Sequence, residues 1–193
     1  MNKLPAIKDV YGDIELAVKQ DGLIAVLNQP PNPEWVKEHP TIKNHKYIPI
    51  ERIEWLLKSI FKTNQYIEVL KTGLLLNAVE VTVRVHYKDL TTGEWMFHDG
   101  VGAQEIQTQS GTGALKLDMS NINRGAIAMA LPIAKTLAVK DACDMLGNIF
   151  GANLNRKDYI EYDIDLTLQP MDEKQKKKKK VKAAVKSKNY TVE

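Results

Sequence analysis

Between residues 78 and 88 apolar and polar side chains alternate without a break. Val79, Val81, Val83, Val85 and Tyr87 fall on one side, and Glu80, Thr82, Arg84, His86 and Lys88 on the other. A period of two predicts a strand with one face in a core and the other in water. Residues 65–72 read as a strand before it. The polar run from Asp89 to Gly93 predicts a reversal into a further strand over Glu94 to His98, giving an antiparallel meander.

Elsewhere the period lengthens. From Pro49 to Lys62, Ile53, Leu56, Leu57, Ile60 and Phe61 recur at helical spacing, with Pro49 suited to a helix start and Glu54 four residues before Lys58. Gly100, Gly102, Gly111 and Gly113 then read as punctuation of a loop-rich stretch. Beyond them Ala134, Ala138, Ala142, Met145 and Ile149 form one stripe of a long helix over Pro132 to Phe150, with Pro132 in its first turn and Gly151 at its end. Residues 159–168 alternate again, with Tyr162, Ile164, Leu166 and Leu168 opposite Glu161, Asp163, Asp165 and Thr167, and predict a peripheral strand. A meander with a long helix makes the fold class α+β. The predicted organisation is an N-terminal strap or oligomerisation segment over 1–46, a folded domain over 47–170 and a basic tail over 171–193. Within the strap, three prolines in Asn28 to Pro33 rule out helix or central strand and predict a connector.

Composition sharpens the picture. The 193 residues, 44% hydrophobic and 26% charged, suffice for one well-cored domain. No run approaches the roughly 18 apolar residues of a membrane span, and the first residues lack the basic and apolar blocks of a signal peptide. The expectation is a cytoplasmic protein. Cys143 is the single cysteine and is expected to be a small core residue. The net charge of +3 conceals an asymmetry: residues 1–170 hold 18 Lys and Arg against 21 Asp and Glu, whereas 171–193 hold 9 against 3. Five successive lysines, Lys176 to Lys180, keep the tail extended and solvated. Nucleic-acid binding by the body therefore has to come from a local patch.

Candidate chemistry is sparse. Gly111-Thr-Gly113 continues as Ala-Leu-Lys, without the lysine and hydroxyl of a phosphate-binding loop, which argues against ATP use. His98, Asp99, Glu161, Asp163 and Asp165 are the candidates for a magnesium-dependent nuclease, although strand alternation already accounts for the last three. No serine sits in a nucleophile elbow, and His39, His45, His86 and His98 show no metal-ligand spacing. No cofactor and no catalytic residue are expected. Arg84 and Lys88 share the polar face of one strand and could meet phosphates. Lys135 and Lys140 lie on the long helix, and Arg156 and Lys157 follow it.

Three ordered blocks carry a resemblance. Tyr47-Ile-Pro-Ile-Glu-Arg52, running to Ile60-Phe61 and on to Asn64 and Tyr66, resembles the opening helix of the Rad-fifty-two annealing domain. Val83-Arg-Val85 with Lys88-Asp89, then His98-Asp-Gly-Val-Gly102, resembles its strand pair and glycine turn. Ala138-Val-Lys-Asp-Ala142, Leu146-Gly147 and Phe150-Gly151 through Lys157-Asp-Tyr159 resemble its long helix and exit. The likeness spans roughly residues 47–160. The N-terminal strap and the Pro-Pro-Asn-Pro stretch are more similar to phage members of the superfamily, the Sak-like single-strand annealing proteins.

The resemblance implies a β-β-β-α core that assembles into a ring or helical filament with a basic groove, in a protein that binds single-stranded DNA and anneals strands without ATP during phage recombination. It carries Arg52 and Lys140 over as deep-groove contacts and Lys88 and Lys157 as contacts to a second, outer DNA. Asp141 and Asp144 stand where the family has basic residues, leaving Lys135, Lys62 and Arg84 as positions able to compensate. A single-strand-binding protein or an exonuclease is a further implied partner, and the host bacterial cytoplasm the implied location. The competing expectations are a non-catalytic oligomeric accessory protein, a metal-dependent nuclease, and an annealing protein of the Erf-like or RecT-like groups.

Overall fold

The computed structural model describes residues 12–40, 42–111, 118 and 120–157. The chain divides into two units, one of Leu23–Ile160 and one of Met1–Gly22 with Glu161–Glu193. The expected strand over 159–168 and the basic tail lie outside the described residues.

The architecture is mixed α+β. Helix α1 (Ile14–Leu27) occupies part of the stretch expected to be a strap; the Asp13 carboxylate accepts the Leu16 N–H at 3.1 Å to cap its start. After the proline stretch, a single 3₁₀ turn (Pro33–Trp35) leads into two short antiparallel strands, β1 (Lys37–Glu38) and β2 (Lys46–Tyr47). Helix α2 (Ile50–Phe61) follows Pro49 as expected and buries Ile53, Leu56, Leu57 and Phe61. It stops at Lys62, whose φ of 58° a helix cannot continue.

Strands β3 (Gln65–Leu75), β4 (Ala78–Lys88) and β5 (Trp95–Glu105) form the meander, in the order β3-β4-β5 and antiparallel throughout. In β4, Val79, Val81, Val83 and Val85 are buried, as the alternation predicted. A register shift between Val69 and Lys71 places a bulge in β3. The β3–β4 reversal is a two-residue turn in which Leu76 adopts a φ of 55°, a conformation that glycine fills more easily.

Strand β5 runs seven residues past the expected end at His98, because Gly100 and Gly102 are not turn residues. They sit in the strand opposite Val83 and Val81 and face helix α3 (Ala126–Asp144). A Cβ on Gly100 would lie 2.2 Å from the Ala138 carbonyl oxygen, and one on Gly102 would lie 2.2 Å from that of Ala134. Helix and strand backbones therefore touch directly. The helix side of this contact is the stripe Ala126, Ala130, Ala134, Ala138 and Ala142, all buried at spacing four.

Helix α3 thus begins six residues before Pro132 and ends at Asp144 rather than at Phe150. Pro132 sits inside it, where its missing N–H forgoes the bond to the carbonyl of Ala128, an exposed residue. Met145, expected on the buried stripe, is 68% exposed. A second 3₁₀ turn (Asn148–Phe150) buries Phe150, and Gly151 follows with a φ of 111°. Gly147 lies so close to the end of α1 that a Cβ there would be 2.5 Å from the Leu27 carbonyl oxygen.

The core joins α2, the inner face of the sheet, the alanine stripe and Phe150. Cys143 belongs to it, and burial pushes its thiol up to about 12, so it is inert at neutral pH.

Candidate nucleic-acid interface

Two grooves open beside the β1–β2 hairpin, and Lys46 and Leu154 line both. The smaller, of about 570 Å³, runs between the proline stretch and the segment after α3, and is lined by Lys37, Lys46 and Arg156 with Glu38 as its one acid. The larger, of about 910 Å³, lies between the hairpin, β5 and α3; His39, His45, Lys46 and Lys140 face Glu105, Asp141 and Asp144 there. The hairpin is tied down by Asn155, whose side chain accepts the Lys46 N–H at 2.7 Å and donates to the Lys46 carbonyl at 2.8 Å. That paired bond fixes the boundary between the grooves.

Lys140 reaches the larger groove from α3. Its ammonium lies 4.7 Å from the Tyr47 ring centroid, a cation–π geometry. Burial holds its pKa below the usual lysine value, against the opposing pull of Glu51 and Asp144. Arg52 projects from the first turn of α2, with its guanidinium 5.5 Å from the Trp35 ring, which packs edge-on against Trp55. Glu51 therefore stands in sequence beside one predicted contact and acts electrostatically on the other.

Asp144 retains exposed surface, yet burial of the carboxyl and then the neighbouring Asp141 raise it to about 6, while Arg156 and Lys140 pull it down. Asp141 accepts the Val101 N–H at 3.0 Å, so it occupies a donor on the outer edge of β5. The two acids that depart from the expected basic pattern are thus within the groove itself.

The remaining predicted positions disperse. Lys135 is exposed on α3, but five residues from Lys140 place it about 140° around the helix axis, away from the groove. Lys157 is exposed beside Arg156. Lys62 is exposed at the end of α2, and the backbone N–H of Lys88 donates to the Asn64 carbonyl just beyond. Arg84 binds Asp99 through two bonds of 2.7 and 2.8 Å, and its guanidinium lies 3.9 Å from the Phe97 ring centroid. It cannot replace a groove cation while so engaged.

Lys37 and Lys46 escaped the sequence reading, and His45 entered it only as a histidine without metal-ligand spacing. They sit on and beside two-residue strands, too short to leave any periodic pattern.

His98 and Asp99, two of the nuclease candidates, face opposite sides of the sheet. His98 meets the Tyr87 hydroxyl at 3.0 Å on the inner side, where burial lowers its pKa, whereas Asp99 bonds Arg84 on the outer side. Among the described residues no group of three acidic, histidine or cysteine side chains could hold a metal ion. Glu161, Asp163 and Asp165 lie outside those residues. No helix in the described residues is long and apolar enough to cross a membrane.

No family model matches this chain, and no curated protein matches it.

Proposed function

We propose that this chain binds single-stranded DNA by its phosphates and anneals complementary strands without ATP, as a homo-oligomer acting in phage-type recombination. The observation that carries the reading is the convergence of Lys37, Lys46, Lys140 and Arg156, from separate segments, on two grooves that adjoin at Lys46. Cations spaced along a groove neutralise a backbone and release its counterions without reading bases. Base edges left outward can then test a second strand for pairing. Arg52 lines neither groove but stands on α2 next in sequence to Ile53, which lines the larger one.

Self-association has its own support. On α3, Ile127, Met129, Leu131 and Ile133 are each at least 42% exposed, although the opposite side of the helix is fully packed. At the far edge of the sheet Leu74, Leu75 and Leu76 are 68%, 56% and 88% exposed. From Ala126 to Ala134 the helix carries no polar side chain, and a helical segment apolar on every side belongs in an interior. Two unlike apolar patches on one chain favour head-to-tail contact between copies, which closes into a ring or continues as a filament. Many weak phosphate sites in such an array then act together.

The test mixes the purified full chain with complementary oligonucleotides in the absence of ATP and weighs it in solution. Accelerated annealing by a large oligomer is expected. A monomer that leaves the annealing rate unchanged would overturn the reading.

A further inference from the structure

The outer face of the meander carries a feature that phosphate binding does not use. Tyr66, Trp95 and Phe97 lie there, respectively 51%, 53% and 50% exposed, around the half-buried His86. Register explains the cluster: Tyr66 pairs with His86, which pairs with Phe97, and Trp95 pairs with Lys88. The Tyr66 and His86 rings stack at 4.2 Å and 11°, and Trp95 stands at 5.6 Å from Tyr66. Glu68 meets His86 Nε2 at 3.0 Å, and Arg84 lies over Phe97.

A sheet face left open to water is ordinarily polar at alternate positions. Half-exposed aromatic rings grouped on neighbouring strands instead mark a surface for a flat, apolar partner. We propose that this face is a stacking platform for unpaired nucleobases, a second contact with single-stranded nucleic acid that rests on the DNA-binding reading above. Every base has a π-face, so stacking on Tyr66, Trp95 and Phe97 needs no particular sequence. Lys88, opposite Trp95, meets the adjoining phosphate. Arg84 is already paired with Asp99 and serves to hold the Phe97 ring. Position along β5 connects the two contacts: Phe97 and Val101, which borders the larger groove, are about 13 Å apart at 3.3 Å per residue. One strand can therefore engage both.

The two contacts differ in what they recognise, and that separates them experimentally. Binding of the full chain is measured for labelled oligo(dT) and for an abasic deoxyribose-phosphate oligomer of equal length. Oligo(dT) is expected to bind more tightly. Trp95→Leu with Phe97→Leu, which keeps apolar volume but removes the rings, should lower oligo(dT) affinity about tenfold or more, since stacking contributes about 1–3 kcal/mol per base. The abasic oligomer should be unaffected. Arg52→Ala with Lys140→Ala should weaken both oligomers alike. Should those changes affect neither oligomer while the ring changes still weaken oligo(dT), the groove reading fails and the platform stands. Equal binding of the two oligomers by the unaltered chain overturns the platform. So does a ring variant that keeps its circular dichroism and its oligo(dT) affinity, or one whose particle mass falls, which would make the face a contact between copies.

Discussion

At Asp144 a single carboxyl sets both the charge of the larger groove and a pH dependence. Its pKa in the fold, about 6, stands above the ordinary aspartate value of 3.8, so the folded chain holds this proton more tightly than the unfolded one. The associated stability is present at acid pH, declines as pH rises toward and through about 6, and is constant above. Asp144→Asn should remove that decline in urea titrations run across the window. The same change removes a negative charge beside Lys140 and Arg156. Single-strand affinity at neutral pH and low salt should then rise about two- to fivefold, the range for one exposed charge interaction of about 0.5–1 kcal/mol. Wild-type binding should strengthen on acidification, and the Asp144 share of that gain is the part that the asparagine variant lacks.

Gly100 and Gly102 are residues of another kind, chosen by what they exclude. The atoms that an added methyl group would strike are backbone, together with the Leu137 Cβ at Gly102, and none of them moves with a rotamer, so no rotamer change relieves the clash. Gly100→Ala should cost about 3 kcal/mol or more, the upper range for overpacking, and lower Tm by roughly 6–12 °C in a calorimetric scan.

Among the elements, β4 was legible to the residue, because four buried valines alternate with polar neighbours and nothing interrupts them. Strand β5 was not. Its two glycines look like turn punctuation until Ala134 and Ala138 of α3, more than thirty residues on, make them the contact surface, a tertiary fact that no local pattern carries. The start of α3 was misplaced for a related reason. Pro132 suits a first turn, but the alanine stripe that fixes the helix begins at Ala126, and packing outweighs the one lost hydrogen bond. Of the basic residues, Lys140 and Arg156 were legible and do line the grooves, whereas the charges on β1 and β2 depended on a hairpin with no periodicity of its own.

The β3–β4 hairpin carries a prediction at the same scale. Leu76 holds a φ of 55° while 88% exposed, so it gains little for its strain within one chain. Leu76→Gly should raise monomer stability, or leave it unchanged, yet weaken assembly if the tip contacts a neighbouring copy. Ile133→Glu on α3 should dissociate the proposed oligomer with at most a small change in circular dichroism. Sedimentation reads both outcomes.

For the whole molecule, phosphate binding as proposed would act against the net negative charge of residues 1–170, and within the grooves Lys37, Lys46, Lys140 and Arg156 are matched by Glu38, Glu105, Asp141 and Asp144. If phosphate binding resides there, Arg52→Ala with Lys140→Ala should reduce single-strand affinity more than deletion of residues 172–193. The reverse order in a salt titration would move the principal DNA contact to the basic tail.

Asp141 bears on a different property of the whole molecule, its solubility. Among the described residues no strand pairs with the outer edge of β5, a row of backbone donors and acceptors that another chain's strand could join. The Asp141 carboxylate takes the Val101 N–H in the middle of that row and sets a negative charge over it. An acid that opposes the proposed phosphate contact would at this place guard against sheets growing from one molecule into the next. Restoring a basic residue by Asp141→Lys would therefore have two opposed results: tighter DNA binding and a lower concentration at which the protein forms β-rich aggregates, measurable by thioflavin fluorescence.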